Sequence, residues 1–343
     1  MPFSKQPPRV RTLADLAQLA GVSPGTVSRA LAGKSLVNAA TRERIAALAA
    51  EHGFRPNQMA SRLRTRRTGV IGIVVPLGHE RRQHLSDPFF MTVLGFLADA
   101  LTENGYDVML SRVIPDAGDW LEHIVDSGML DGVLLIGQSD QHDAIERVAA
   151  RYRPLVAWGS QLPGQIHCAV GTDNVAGGRL MGERLIAKGC RRIAFLGEVR
   201  APEILQRWEG VAAASADAGL PPPLRLDTHL ASDVMEQEIA GHLDAIGADL
   251  GVGVDGIAAA SDVIALTAIR VLADRSIRVP EDVRVVGYDD LPLASQAMPR
   301  ITTVRQDIAA GARAMVSALF ERIGGIDAPS VVMQPVLIER DSA

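Results

Sequence analysis

The sequence predicts two unlike parts, an all-helical head and an α/β body, and three observations carry that prediction. Charge is placed unevenly: residues 1–68 hold twelve Lys or Arg against three Asp or Glu, although the 343-residue chain has a formal net charge of -5. Inside that basic segment, two short apolar-striped stretches meet at a glycine in "LADLAQLAGVSPGTVSRALAGK", Leu13 to Lys34. Beyond Thr68 the pattern turns to β-branched apolar runs separated by Ala/Leu-rich stretches, as strands buried on both faces and their covering helices read.

The balance of charge points to a polyanion as the head's partner, since a positive surface concentrates phosphate around it. With 47% hydrophobic residues and no apolar run of membrane length, the chain reads as soluble with ample core. The start, "MPFSKQPPRVRT", has no following apolar stretch of the kind a secretory signal needs. Cys168 and Cys190 form neither metal-ligand spacing nor a disulfide framework, which suits a cytoplasmic, nucleoid-associated protein.

In the head, Leu13, Leu16, Ala17 and Ala20 recur at helical spacing, with Thr12 placed to cap them and Gly21 to end them. A second helix starts at once, with Ser23 as N-cap, Pro24 at the first helical position and Val27, Ala30 and Leu31 facing inward. Asn38 opens a third, whose Ile45, Leu48 and Ala49 face inward until Gly53 stops it. Three such helices describe a helix-turn-helix unit over 9–55, and its second helix is expected in a DNA major groove. Packing consumes the apolar positions there and leaves Gly25, Thr26, Ser28 and Arg29. Arg29 has the reach to donate two bonds to guanine, while Ser23, Thr26 and Ser28 fit phosphate or short base contacts; the bland alternative for Arg29 is a solvated surface residue.

The next segment, 56–68, reads as a hinge helix and linker. Pro56 and Asn57 restart the chain, and Met59, Ala60 and Leu63 share a side with Arg62 and Arg64 nearby. A segment this short needs a dimer partner and DNA to order it, with Leu63 wedged between base steps from the minor groove and the arginines on phosphate. A disordered basic linker is the competing reading.

In the body, "VIGIVVP", "YDVMLS", "DGVLLIG", "PLVAWG", "HCAVGTD", "RIAFLGE", "DGIAAAS" and "VRVVGYD" are strand signals. "GVGVDG", Gly251 to Gly256, lacks the strand and helix context of a dinucleotide motif, so no cofactor is expected. "GHERRQH", with His79, Glu80 and His84, reads as a solvated loop rather than a metal site. No Gly-x-Ser-x-Gly elbow or other nucleophile in context is present, so no catalysis is expected.

The chain resembles the lactose-repressor (LacI/GalR) family of bacterial transcription regulators over essentially its whole length. "TLADLAQLAGVSPGTVSRAL", "TRERIAALAAEHGFRPNQMASRLRTRRTGVIGIVVP", "GTDNVAGGRLMGERLIAKGCRRIAFLG" and "VPEDVRVVGYDDLPLA" followed by "ITTVRQ" fall in the family's order. The resemblance implies that Pro24, Gly25 and Arg29 help read an operator and that Leu63 is inserted at its centre. The family's hinge order Ala-Arg-Ser-Leu stands here as Ala60-Ser61-Arg62-Leu63.

The resemblance also implies a type I periplasmic-binding-protein-like body (69–340) of two doubly wound subdomains with a small molecule between them. The first is expected over about 69–172 plus 291–328, and the second over about 173–290 plus 329–340. Ligands favour the carboxyl ends of such strands, where Trp158, Asp173 and Asp289 fall. Trp158 reads equally as core, and Asp173 as a helix cap. Arg207 matches the family's effector-binding arginine in Arg-x-x-Gly, Ser261 with Asp262 stands for its frequent Asn-Asp pair, and Phe89 follows an unusually long loop, 77–87. A sugar suits this set, because carboxylates and a forked guanidinium bind vicinal hydroxyls and an aromatic face covers a ring. The purine-binding branch has a further arginine where Ala201 stands. The expected protein is thus a homodimeric or tetrameric repressor on a near-palindromic operator, controlled by a carbohydrate. Control by a nucleobase or organic acid is the alternative, and more remotely a binding protein or enzyme without DNA.

Overall fold

The computed structural model describes residues 10, 12–31, 36–54, 67–77, 82–115, 118–230, 234–249 and 253–343. It divides into two compact units, Met1–Thr68 and Gly69–Ala343.

The head consists of α1 (Leu13–Ala20), α2 (Pro24–Leu31) and α3 (Ala39–Glu51). Thr12 and Asp15 cap α1 reciprocally: the Thr12 hydroxyl accepts the Asp15 N–H at 3.1 Å, and the Asp15 carboxylate accepts the Thr12 N–H at 2.9 Å. Gly21 ends it in the left-handed region, φ 62°, where a side chain is strained. The Ser23 hydroxyl then accepts the Thr26 N–H at 3.2 Å, so α2 begins without delay. Leu16, Ala17, Ala20, Val27, Ala30, Ile45, Ala49 and Phe54 bury together, with Leu13, Leu31 and Leu48 at the margin of that core. Arg44 of α3 donates to the Ala20 carbonyl at 2.9 Å, answering an open carbonyl at the end of α1.

In the body the chain runs β1 (Val70–Pro76), α4 (Pro88–Glu103), β2 (Asp107–Val113), α5 (Trp120–Val125), β3 (Gly132–Ile136), α6 (His142–Ala149), β4 (Leu155–Trp158) and β5 (Cys168–Thr172). It continues through α7 (Asn174–Ala187), β6 (Ile193–Leu196), α8 (Pro202–Asp217), β7 (Leu224–Leu226), α9 (Met235–Asp249), β8 (Gly256–Ala259), α10 (Asp262–Asp274) and β9 (Arg284–Asp289). Last come α11 (Pro292–Gln296), β10 (Thr302–Arg305), α12 (Ile308–Ile323), β11 (Val331–Met333) and β12 (Val336–Ile338). Two sheets result, ordered β2-β1-β3-β4-β5-β11 and β7-β6-β8-β9-β10-β12. The same winding is used twice, and every pairing is parallel except β10 with β12.

The subdomain borders expected at 291 and 329 are corrected by this pairing. Thr302–Arg305 hydrogen-bonds to β9 and so belongs to the second sheet, whereas Val331–Met333 pairs with β5 in the first. The chain therefore passes between the halves after β5, after β10 and again between β11 and β12. These late strands are three or four residues long and at or near a sheet edge, too short for a period to show in the sequence.

In the second half, α7 and α8 touch backbone to backbone. A Cβ on Gly178 would stand 2.7 Å from the Arg207 carbonyl carbon, and one on Gly210 would stand 2.6 Å from the Arg179 nitrogen. Gly178→Ala and Gly210→Ala should each destabilise the body by about 3 kcal/mol, since backbone cannot yield as a side chain can. Gly241→Ala, on exposed helix with open space around it, should instead stabilise by about 0.5–1 kcal/mol. Urea unfolding checks both; a tolerated alanine at 178 and 210 contradicts the close approach.

Candidate functional site

On the head, α2 turns Val27 and Ala30 inward and leaves Pro24, Gly25 and Arg29 exposed, with Thr26 and Ser28 half-buried. Ser23 and Thr26 share a hydroxyl hydrogen bond of 2.9 Å. Arg29 Nε donates to the Gly25 carbonyl at 3.1 Å, which lays the guanidinium along the exposed side of the helix. Asn57, Arg62, Leu63 and Arg64 lie outside the described residues.

The body holds a cleft between the carboxyl ends of the two sheets, where ligands of such folds bind. The first half supplies Leu77, Gln83, Asp87, Phe89, Phe90, Ile136 and Trp158 to its wall. Trp158 meets Phe89 edge to face, ring centroids 6.0 Å apart and planes at 71°. It is both core and cleft, 4% exposed yet lining the cavity. The second half supplies Glu203, Arg207, Ser261 and Asp289. Phe89, Trp158, Arg207, Ser261 and Asp289 are thus brought together.

Asp173 is the exception and is corrected. Its carboxylate accepts the Ala176 N–H at 2.9 Å and caps α7, and it does not line the cleft. The neighbouring Asn174 holds the position of consequence. Its Oδ1 accepts Arg207 Nε at 2.9 Å and the Tyr288 hydroxyl at 3.3 Å, and its Nδ2 donates to Ser160 Oγ at 3.2 Å and to the Thr172 carbonyl at 3.0 Å. Arg207 Nη1 donates to the Ala260 carbonyl at 2.6 Å, and its Cζ lies 3.7 Å from the centre of the Tyr288 ring. Ser160 in turn donates to Gln206 Oε1 at 2.7 Å, a direct tie between the halves.

Asp289 ends β9 with φ 114°, followed by Asp290 at φ 56°, a conformation non-glycine residues adopt only when their surroundings impose it. Gln306 Nε2 donates to Asp289 Oδ1 at 2.7 Å. Behind it, buried Asp262 accepts the Thr303 hydroxyl at 2.6 Å and the Leu291 N–H at 2.8 Å. Burial pushes the Asp289 carboxyl up to about 7 against the opposing pull of Arg207, and burial with the Asp289 charge raises Asp262 well above the carboxylate range. Burial also raises Asp87 and Glu203.

Sequence reasoning missed Gln83, Asp87, Glu203 and Asn174. Asp87 offered one signal, standing directly before Pro88 as an N-cap does; the Phe89 N–H donates to it at 2.9 Å, and Gln83 Nε2 at 3.1 Å. The long loop thereby delivers two polar side chains to the cleft. His79 and Glu80 are outside the described residues, and no group of three or more metal-ligating side chains occurs among those described. Cys168 and Cys190 are free and buried, and no described helix is long and apolar enough to cross a membrane.

A helix-turn-helix head and a two-sheet body with a cleft between its sheets define a class, the DNA-binding regulators built on a periplasmic-binding-protein-like domain. Residues 12–57 match the family described as bacterial regulatory proteins, lacI family, and residues 183–343 match a periplasmic binding protein-like domain. The chain is 34% identical to the HTH-type transcriptional regulator CelR of Thermobifida fusca, over 96% of this chain and 98% of that one. It is 31% identical to the HTH-type transcriptional regulator MalR of Streptomyces coelicolor, over 96% of each. A lac repressor dimer bound to operator and the anti-inducer ONPF matches with a TM-score of 0.83 at 26% identity, covering 96% of this chain and 98% of that one. The chain belongs to the LacI family of transcription regulators. It is a sequence-specific DNA-binding protein, and its role is regulatory rather than catalytic.

The raised Asp289 carboxyl stabilises the fold through its proton. That contribution is present in full below about pH 4 and is lost as the pH rises towards the folded value, about 7 for Asp289. The ligand-free protein should therefore lose stability between pH 4 and 7. Asp289→Asn should flatten that slope. Melting curves at pH 5 and pH 8 decide this; a variant with an unchanged slope contradicts the burial argument.

Proposed function

We propose that this chain is a repressor whose operator affinity is set by a small carbohydrate bound in the cleft. The observation that carries the reading is the division of the cleft into an aromatic wall, Trp158 and Phe89, and a polar wall, Arg207, Ser261 and Asp289. A sugar ring presents the matching pair of surfaces, an apolar face and a rim of hydroxyls. A CelR structure at 30% identity, TM-score 0.66, is a complex with cellobiose, and a relative from Streptococcus mutans at 28% identity is a sucrose operon repressor. Both names support the class without fixing this chain's ligand.

At the DNA, α2 lies in the major groove of a near-palindromic site, with Arg29 on base edges and Ser23, Pro24, Gly25, Thr26 and Ser28 alongside. Asn57, Arg62 and Arg64 serve phosphate, and Leu63 the central base step, of a site occupied by a homodimer. In a footprinting titration, Arg29→Ala should weaken the specific site by about 1–3 kcal/mol and random duplex far less. Equal losses on both leave Arg29 as a phosphate contact only.

Control follows if the ligand has unequal affinity for the DNA-competent and DNA-incompetent arrangements of the two halves, because equal affinity shifts no population. Mono- and oligosaccharides, organic acids and nucleobases are screened by thermal shift, and each hit is titrated into an operator-binding assay. Arg207→Ala should remove the ligand response, by about 2–5 kcal/mol of binding, while ligand-free operator binding persists. A variant with normal ligand affinity disproves the cleft assignment, and a ligand that binds without changing operator affinity disproves the coupling.

A further inference from the structure

We propose that the cleft selects uncharged polyhydroxylated ligands, and that Asp87 and Glu203 are the residues that reject carboxylated and phosphorylated analogues. This rests on the cleft being the effector site.

Helix N-termini aimed at a cleft are ready receptors for an anion, through their open N–H groups and positive dipole ends. Here α4, α8 and α10 all bring their N-termini to the lining, at Phe89, Glu203 and Ser261. Each already has one of the chain's own carboxyls in place. Asp87 is the N-cap of α4, Glu203 stands in the first turn of α8, and Asp262 stands in the first turn of α10. At α4 the Asp87 carboxylate already accepts the Phe89 N–H, and at α10 the Ser261 hydroxyl accepts the Ile264 N–H, so these open groups are met by the chain itself.

The remaining cation does not change this. Arg207 is the only Lys or Arg among the described lining residues. Its Nε and Nη1 are engaged by Asn174 and the Ala260 carbonyl, and one face lies against Tyr288. What is left suits a single hydroxyl better than a carboxylate clamped by both arms of the fork. On the same wall, the Glu203 carboxyl is an acceptor that a ligand hydroxyl can meet and an ionised carboxylate or phosphate cannot. Asp87 belongs to the first half and Glu203 to the second, so an anion between them meets like charge from both sides.

The test uses the full chain at pH 7.5, with dissociation constants from calorimetry for glucose and cellobiose, for glucuronate and cellobionate, and for glucuronamide and cellobionamide, which match the acids in size without charge. The wild type should bind a parent sugar and its amide at least about tenfold more tightly than the acid. In Asp87→Asn with Glu203→Gln, that preference should fall by about tenfold, with ligand-free melting confirming that the variant folds. An acid bound as tightly as its amide overturns the proposal, as does a preference unchanged in the double variant. A parent sugar that binds while both its amide and its acid fail shows exclusion by size and overturns it too. Acids binding alone refute the selection while leaving an effector site in place. Binding by none of the six overturns the selection for glucose-based ligands, and the carbohydrate reading is then decided by the wider saccharide screen.

Discussion

The body is organised around a guanidinium taken out of water. Arg207 is 8% exposed, and a charge in that position is tolerated only if its donors are met and its sign is answered. Asn174 and the Ala260 carbonyl meet the donors, the Tyr288 face lies under the carbon, and Asp289 balances the charge. Each partner comes from a different place in the chain: the start of α7, the end of β8 and the end of β9. Strand ends, crossovers and the glycine contact between α7 and α8 thus have a common result, a fixed arginine facing an aromatic wall.

Much of this was legible. Capping residues in the head, the β-branched runs and the strand ends at Trp158 and Asp289 all stand where local chemistry places them. The failures share a physical cause. Asp173 and Asn174 are adjacent polar residues at the end of a strand, and either could turn towards Arg207; which one does depends on the turn into α7, where the carboxylate is drawn to the Ala176 N–H. Glu203 sits in a first turn, where an acid needs no explanation beyond the helix dipole, so nothing local marks it as cleft-lining. The short strands after residue 300 acquire their identity from pairing with distant partners, a property of the sheet rather than of their own residues.

Strain at the end of β9 has a structural answer of its own. The Asp289 and Asp290 backbone is held where an L residue is disfavoured. Asp290 anchors it through ion pairs to Arg305 at 2.7 Å and Arg340 at 2.5 Å, both reached from the late strands. Those strands therefore do more than widen the second sheet, since they maintain the orientation in which Asp289 meets the cleft.

Pairing across so much chain also bears on how the protein is made. In the first sheet, Val170 on β5 is matched by Val331 on β11, a residue that leaves the ribosome only after nearly the whole second half has been synthesised. Until then β5 is an open edge of a sheet that is otherwise complete, with unpaired N–H and C=O groups of the kind that recruit other chains. A nascent or prematurely terminated chain is in this respect a different object from the finished one: largely folded, yet adhesive along one strand, and suited to recognition by chaperones and proteases.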